Sequence, residues 1–107
     1  MGENLADNGG LRQAYRAYRN YVALHGEESR LPGLEDYSPE QIFFIAFANA
    51  NCGVETKEGI ERLIANDPHI PSYYVVTGSV SNSEEFSQHF NCPPDSPMNR
   101  ANKCVIW

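Results

Sequence analysis

The sequence predicts a mainly α-helical chain with about four helices and long loops. Apolar residues recur at three- and four-residue spacing in several segments, which is the pattern of one face of a helix. Ser or Thr residues that favour helix N-termini stand before some of these segments. The 107 residues are enough for one small domain, and we treat residues 1–107 as a single unit.

The first helix is predicted from about Glu3 to Leu24, with Gly26 as its stop. Its apolar face carries residues at helical spacing: Leu11, Ala14, Tyr15, Tyr18 and Val22. Gly9 and Gly10 are unfavourable inside a helix, where each costs about 1 kcal/mol relative to alanine. The pair indicates either close approach of another group or a helix that begins after them.

The second helix is predicted to follow Ser38, with Pro39 in its first turn and Gln41 completing a capping box. It runs to about Asn51 and is apolar on most sides: Ile42, Phe43, Phe44, Ile45 and Phe47. A helix of this kind is buried. Because the chain offers little to surround it, we expect more protein around it.

A third helix is predicted between a Thr56 cap and about Ala65. Its inward face is expected to carry Ile60, Leu63 and Ile64. An irregular loop follows, in which Pro68 and Pro71 hold His69 between them.

The rest of the chain is predicted to contain one short strand and one short helix. The strand covers residues 73–77, and the helix ends near Phe90 after a capping box of Asn82 and Glu85. The tail is irregular and rich in proline. Trp107 is expected to dock, because exposing so much apolar area is unfavourable.

The charge balance limits the partners. The formal net charge is −6, and the basic residues are scattered, so neither nucleic acid nor an anionic membrane surface is expected to bind. Arg12, Arg16 and Arg19 are interpreted as a solvated helix face. The longest apolar run, residues 42–48, is far shorter than the roughly 20 residues of a membrane span. No direct membrane contact is predicted for this segment.

Two places carry residues suited to chemistry. Glu3 and Asp7 are four apart and share one helix face, where a Lys, an Arg or a metal ion would relieve their repulsion. The alternative is that they are acidic residues favoured near a helix N-terminus by its dipole. His69 is the other candidate, and a hydrogen-bonded loop histidine is the alternative there.

Three motifs, taken together and in order, resemble the neprilysin and endothelin-converting enzyme family of zinc metallopeptidases. Residues 3–10 resemble its zinc-binding segment, residues 67–71 its Asp-x-His-x-Pro motif, and residues 104–107 its terminal Cys-x-x-Trp. The resemblance covers essentially the whole chain. It implies the C-terminal fragment of a larger, zincin-like catalytic domain that hydrolyses peptide bonds of oligopeptides.

The resemblance also implies roles for single residues. Glu3 would be the third ligand of one zinc ion, Asp7 would orient a ligating histidine, and His69 would stabilise the oxyanion. The other ligands are histidines of an upstream His-Glu-x-x-His helix. That motif is absent here, since no two of the histidines are four apart. The chain alone is therefore expected to be inactive.

The chain departs from the family pattern at two places. Val75 stands where the family usually has an arginine that binds a substrate carbonyl, and Ala50-Asn51 stand where Val-Trp is common. No residue near Val75 can replace a bidentate guanidinium. A different substrate preference or impaired catalysis would follow.

The cysteines and the compartment follow from the same resemblance. Cys52, Cys92 and Cys104 are an odd number, and each would pair with a cysteine upstream of this segment. The family's domains are extracellular, either secreted or as ectodomains of single-pass membrane proteins, which permits disulfides. Met1 is then expected to be a boundary inside a longer protein.

Three hypotheses result. The chain is part of a zinc endopeptidase, part of a catalytically impaired binding protein with the same scaffold, or a small stand-alone α-helical interaction domain. The sequence upstream separates them, because an intact His-Glu-x-x-His favours the first and a degraded one the second.

Overall fold

The computed structural model describes residues 2–105, and these form five α-helices with no strand among them. The helices are α1 (Gly2–His25), α2 (Pro39–Ala50), α3 (Lys57–Asn66), α4 (Ser72–Ser81) and α5 (Glu84–His89). The predicted mainly α fold is confirmed, with one helix more than expected. The expected docking of Trp107 lies outside the described residues.

Helix α1 continues through both of its glycines. Gly9 is buried, whereas a side chain added at Gly10 would meet nothing within 4 Å. The helix ends where Gly26, at φ +92°, donates its backbone N–H to the Val22 carbonyl at 2.7 Å. Glycine suits this position because the left-handed conformation strains other residues.

The predicted caps of α2 and α3 are confirmed. The Gln41 backbone N–H donates to Ser38 Oγ at 3.2 Å, and the Ser38 N–H donates to Gln41 Oε1 at 2.8 Å, which completes the capping box. Thr56 Oγ1 accepts from the Gly59 N–H at 3.0 Å. Each cap satisfies backbone groups that the first turn of a helix leaves unpaired.

The strand predicted over residues 73–77 is wrong, because these residues lie inside α4. No strand is present among residues 2–105 to pair with it, and an unpaired strand leaves its backbone groups without partners. A helix satisfies those groups internally. The Thr77 hydroxyl also donates to the Tyr73 carbonyl at 2.7 Å, a bond that threonine can make to the carbonyl four residues back in a helix.

The cap predicted for the last helix is one residue out of register. Ser83, not Asn82, caps α5, and its Oγ accepts from the Phe86 N–H at 3.0 Å. Glu85 contacts the same hydroxyl at 2.9 Å. Asn82 instead ends α4, and its side chain is used in a contact with α1.

An aromatic core lies where α1, α2, α4 and α5 meet. Phe44 of α2 is its most buried residue, at 2% exposure, and the Tyr15 ring stacks on it at 5.5 Å. Leu11 and Val80 complete the buried cluster. Partly buried side chains pack around it: Tyr18, Phe43, Phe47, Phe86, Phe90 and Met98.

The inward face predicted for α3 is not buried. Helix α3 has no buried residue, and Ile60 and Ile64 are exposed. The main helix contacts in residues 2–105 join α1 to α4, α4 to α5, and α2 to α4 and α5. The apolar face of α3 therefore has no helix packed closely against it in this part of the protein.

Phe44→Ala is expected to lower the free energy of unfolding of the chain by about 3–5 kcal/mol, because it removes the side chain at the centre of the core. Ile45→Ala is the matched control, since Ile45 is the adjacent residue and is 40% exposed. Urea denaturation followed by circular dichroism measures both. Equal losses for the two variants would contradict this placement of the core.

Candidate functional site

The first turns of α1 and the loop before α4 come together, although they are far apart in sequence. His69 Nε2 lies 3.4 Å from Glu3 Oε2. Asp7 follows Glu3 by one helical turn on the same face. The structure thus brings Glu3, Asp7 and His69, which were singled out from sequence, into one cluster.

Asp67 fixes the position of His69 in this cluster. Its Oδ1 accepts the His69 backbone N–H at 2.9 Å and lies 2.7 Å from ring Nδ1. The backbone bond to the residue two positions on is an Asx turn, which shapes the loop locally. The ring contact occupies Nδ1, so Nε2 is the nitrogen that faces Glu3.

The charges in the cluster influence one another. The hydrogen bond that the His69 ring donates to Asp67 raises the pKa of His69, and the nearby carboxylates of Glu3 and Asp7 raise it further. Hydrogen bonds from His69 lower the pKa of Asp67. Burial, and then the charge of Glu3, raise the pKa of Asp7, while His69 opposes the rise. A protonated histidine is thus one cation that relieves the repulsion between the acidic residues.

The residues present can supply one ligand of a metal site but not a whole site. Among residues 2–105 there is no group of three or more His, Cys, Asp or Glu side chains able to hold a metal ion. The Glu3 carboxylate is 47% exposed, so it is accessible to a ligand from outside. Asn4 Oδ1, beside it in sequence, is buried without a hydrogen-bond partner in the described part of the chain. The accessible Glu3 carboxylate fits the single glutamate ligand of a zinc site whose other ligands come from elsewhere.

The other histidines have structural contacts. The Tyr15 hydroxyl and His89 Nε2 are 2.7 Å apart at the edge of the aromatic core. His25 packs on Tyr21 with 4.3 Å between ring centroids. Neither contact includes Glu3, Asp7 or His69.

Val75 and Asn51, which depart from the family pattern, lie on different helices or at their ends. Val75 is half-buried in the first part of α4, six residues after His69. Asn51 ends α2, where its side-chain amide donates to the Phe47 carbonyl at 2.9 Å.

All three cysteines are free in the structure. Cys52 and Cys104 are exposed, and Cys92 is half-buried. Within residues 2–105, none of the helices has both the length and the apolar character that crossing a bilayer requires.

Asp67 is the residue of the cluster whose role sequence reasoning missed. The sequence feature that indicates this role is the position of Asp67, two residues before the histidine and at the end of a helix. An aspartate there can accept the N–H of the residue two positions on. That it also reaches the imidazole ring depends on the rotamer of His69, which sequence does not show.

Asp67→Asn is expected to lower the pKa of His69, because the carboxylate favours the protonated ring. The folded-state pKa of His69 is raised above its unfolded value. Its contribution to stability is therefore fully present below the unfolded pKa and is lost as pH rises through the folded pKa. Titration of the histidine resonances by NMR measures the change, with His69→Gln to assign the signal and Asp36→Asn as the control. An unchanged pKa in Asp67→Asn would mean that the hydrogen bond has no effect.

Comparison with known proteins gives a consistent result along the whole chain. Endothelin-converting enzyme 1 of Bos taurus is 52% identical over 107 residues, and that of Homo sapiens is equally similar. Neprilysin-2 of Drosophila melanogaster is 46% identical over 107 residues. The matches cover 100% of this chain but only 14% of the length of these relatives. Residues 1–106 match the model of peptidase family M13. The chain therefore belongs to peptidase family M13.

Proposed function

We propose that this chain is part of a zinc metalloendopeptidase that hydrolyses oligopeptides, with Glu3 as the third zinc ligand and His69 as the oxyanion-stabilising residue. The observation that carries the proposal is the 3.4 Å approach of His69 Nε2 to Glu3 Oε2 in a chain of a peptidase family. A metal ligand and a donor to the substrate oxygen must both lie near the same scissile bond. Membership of this family favours an enzyme over a stand-alone interaction domain.

Glu3 would hold the metal together with two histidines from outside this chain. A zinc ion bound by two histidines and a glutamate acts as a Lewis acid on the peptide carbonyl. The half-exposed Glu3 carboxylate is open to such an ion. Because one carboxylate cannot form the site, the isolated chain is expected to bind zinc weakly and to lack peptidase activity.

Asp7 would not bind the metal itself but would contact a histidine that does. Carboxylates commonly accept the second ring N–H of a ligating histidine, and this fixes the orientation of the ring. Asp7 lies one turn after Glu3, so it is on the face of α1 where such a histidine would stand. Its partial burial strengthens a hydrogen bond to that ring.

His69 would donate a hydrogen bond from Nε2 to the oxygen that gains negative charge in the transition state. Asp67 holds the other ring nitrogen at 2.7 Å and raises the pKa of the imidazole. A ring that is protonated and fixed in place is a stronger donor than a neutral, mobile one. The direction of Nε2 toward Glu3 supports this role.

The surroundings of the site would be supplied by the rest of the protein. Cys52, Cys92 and Cys104 would join this segment to the remainder of the catalytic domain through disulfides, and short peptides would be the substrates. Disulfides of this kind form in an extracellular protein, either secreted or the ectodomain of a single-pass membrane protein.

A catalytically impaired binding protein is the second candidate, and Val75 is the observation that favours it. Valine offers no donor to a substrate carbonyl where the family usually has arginine. If the full-length protein turns over weakly because the arginine is missing, Val75→Arg is expected to raise its kcat/KM. A wild type with normal turnover would remove this candidate.

No two of the three cysteines are expected to pair with each other, since their proposed partners lie upstream. Peptide mass mapping of the full-length protein without reduction tests this. Reduced and alkylated protein serves as the control. A native Cys92–Cys104 bridge would be the most damaging result, because it would leave only one cysteine to reach the rest of the domain.

In the full-length protein, Glu3→Ala is expected to abolish zinc retention and turnover, because it removes a direct ligand. Asp7→Ala is expected to weaken metal affinity or activity by roughly 10- to 100-fold. His69→Ala should keep zinc bound and lower mainly kcat, by about 10²- to 10³-fold. Zinc content and steady-state kinetics, measured side by side, separate the three effects.

Glu58→Ala is the matched control for Glu3→Ala. Glu58 is also an acidic residue in the first turn of a helix, and it is exposed in α3. It should keep zinc and turnover. Stoichiometric zinc and normal turnover in Glu3→Ala would show that the metal assignment is wrong.

A further inference from the structure

Helix α1 is tied to α4 and its flanking residues at two separate places. The first is the contact of Glu3 with His69, just before α4. The second is at the other end of α4, where Asn82 Nδ2 donates to Asn8 Oδ1 at 2.9 Å. The second contact has no part in the chemistry proposed above.

The amides of Asn8 and Asn82 are oriented by further hydrogen bonds. Asn8 Nδ2 donates to the Asn4 carbonyl at 2.8 Å, so its oxygen is directed at Asn82. Asn82 Oδ1 accepts the Cys104 backbone N–H at 3.1 Å, so its nitrogen is directed at Asn8. Both residues are half-buried, which limits competition from water. These bonds fix which amide donates: Asn82 is the donor and Asn8 is the acceptor. Substitutions that reverse or remove one of these roles can therefore test the contact.

Helix α4 connects this amide pair to the candidate site. It runs from Ser72 to Ser81, about 15 Å at 1.5 Å per residue, with His69 shortly before its start and Asn82 at its end. Its C-terminal turn is buried, with Val80 in the core. A packed helix moves as one body, so a shift of its Asn82 end along α1 also moves its Ser72 end, three residues after His69.

We propose that the Asn8–Asn82 amide pair positions His69 relative to Glu3 by fixing α4 along α1. Both are positioning residues that act through the helix, and the inference rests on the proposed function of Glu3 and His69. Both side chains are short, so the hydrogen bond allows little change in the distance between α1 and α4. A longer pair, or a pair that repels, would change that distance. The catalytic geometry then depends on a hydrogen bond at the far end of α4.

The test is a pair of isosteric substitutions in the full-length protein. Asn82→Asp replaces the donor with an oxygen that faces Asn8 Oδ1, while it keeps the side-chain volume and the acceptor for the Cys104 N–H. Asn8→Asp keeps the acceptor for Asn82, but it replaces the bond to the Asn4 carbonyl with an oxygen–oxygen contact inside α1. Asn82→Asp is expected to lower kcat about 10- to 100-fold with bound zinc retained, and Asn8→Asp, whose bond to α4 is intact, is expected to lose less.

Asn99→Asp is the matched control. Asn99 is also half-buried and its Nδ2 also donates to a carbonyl, that of Cys92 at 2.9 Å, but this bond stays within the C-terminal loop. Its kcat should equal that of the wild type. Asn8→Ala and Asn82→Ala provide a second route if Asn82→Asp folds poorly, and the double variant should lose no more kcat than the worse single variant.

A crystal structure of the Asn82→Asp protein gives a readout independent of turnover. The separation of His69 Nε2 and Glu3 Oε2 is expected to exceed that in the wild-type full-length protein crystallised in the same way. A lowered melting temperature with unchanged kcat per folded molecule, or an unchanged separation, would overturn the positioning role. So would equal losses in Asn8→Asp and Asn82→Asp.

The same experiments distinguish the two proposals. If Glu3→Ala loses zinc and turnover while Asn82→Asp behaves as the wild type, only the positioning role fails. If Glu3→Ala keeps zinc and turnover, the proposed function itself fails.

Discussion

The packing of α4 against α1 is the contact on which the candidate site depends. Glu3 belongs to the first turn of α1, and His69 belongs to the loop that leads into α4. Neither side chain can reach the other unless the two helices pack together. Leu11 and Tyr15 of α1 and Val80 of α4 are members of the same buried cluster around Phe44. The hydrophobic core thus determines the separation of polar groups at its edge.

The local features of the fold could be predicted from sequence because they depend on neighbouring residues. Ser38 and Gln41 lie three apart and form the capping box that their spacing indicates. The error at residues 73–77 has a different origin. Aromatic and β-branched residues are compatible with a strand, but a strand needs a partner, and the described residues contain none. The register error at Asn82 arose because Asn and Ser are both good caps and stand next to each other.

The candidate site could be predicted in part. What could not be predicted is the contact between side chains that are distant in sequence. Glu3 and Asp7 share a helix face by spacing alone. The approach of His69 to Glu3 requires knowledge of how α1 and α4 pack, which no local pattern contains. The second role of Asp67, as acceptor of the ring Nδ1–H as well as the backbone N–H, depends on a side-chain rotamer. The exposure of Ile60 and Ile64 likewise depends on what packs against α3, which the helix period does not specify.

Asp67 also terminates α3, where its backbone N–H donates to the Leu63 carbonyl at 2.9 Å. One residue therefore ends a helix, shapes the following loop and holds the imidazole ring. This arrangement amounts to preorganisation: in the role proposed for His69, a ring that is already oriented would lose less side-chain entropy when a substrate binds. Helix α3 buries none of its own residues, yet it anchors the residue that orients His69. Within residues 2–105, α3 thus reduces the freedom of a single side chain and adds no buried residue to the core.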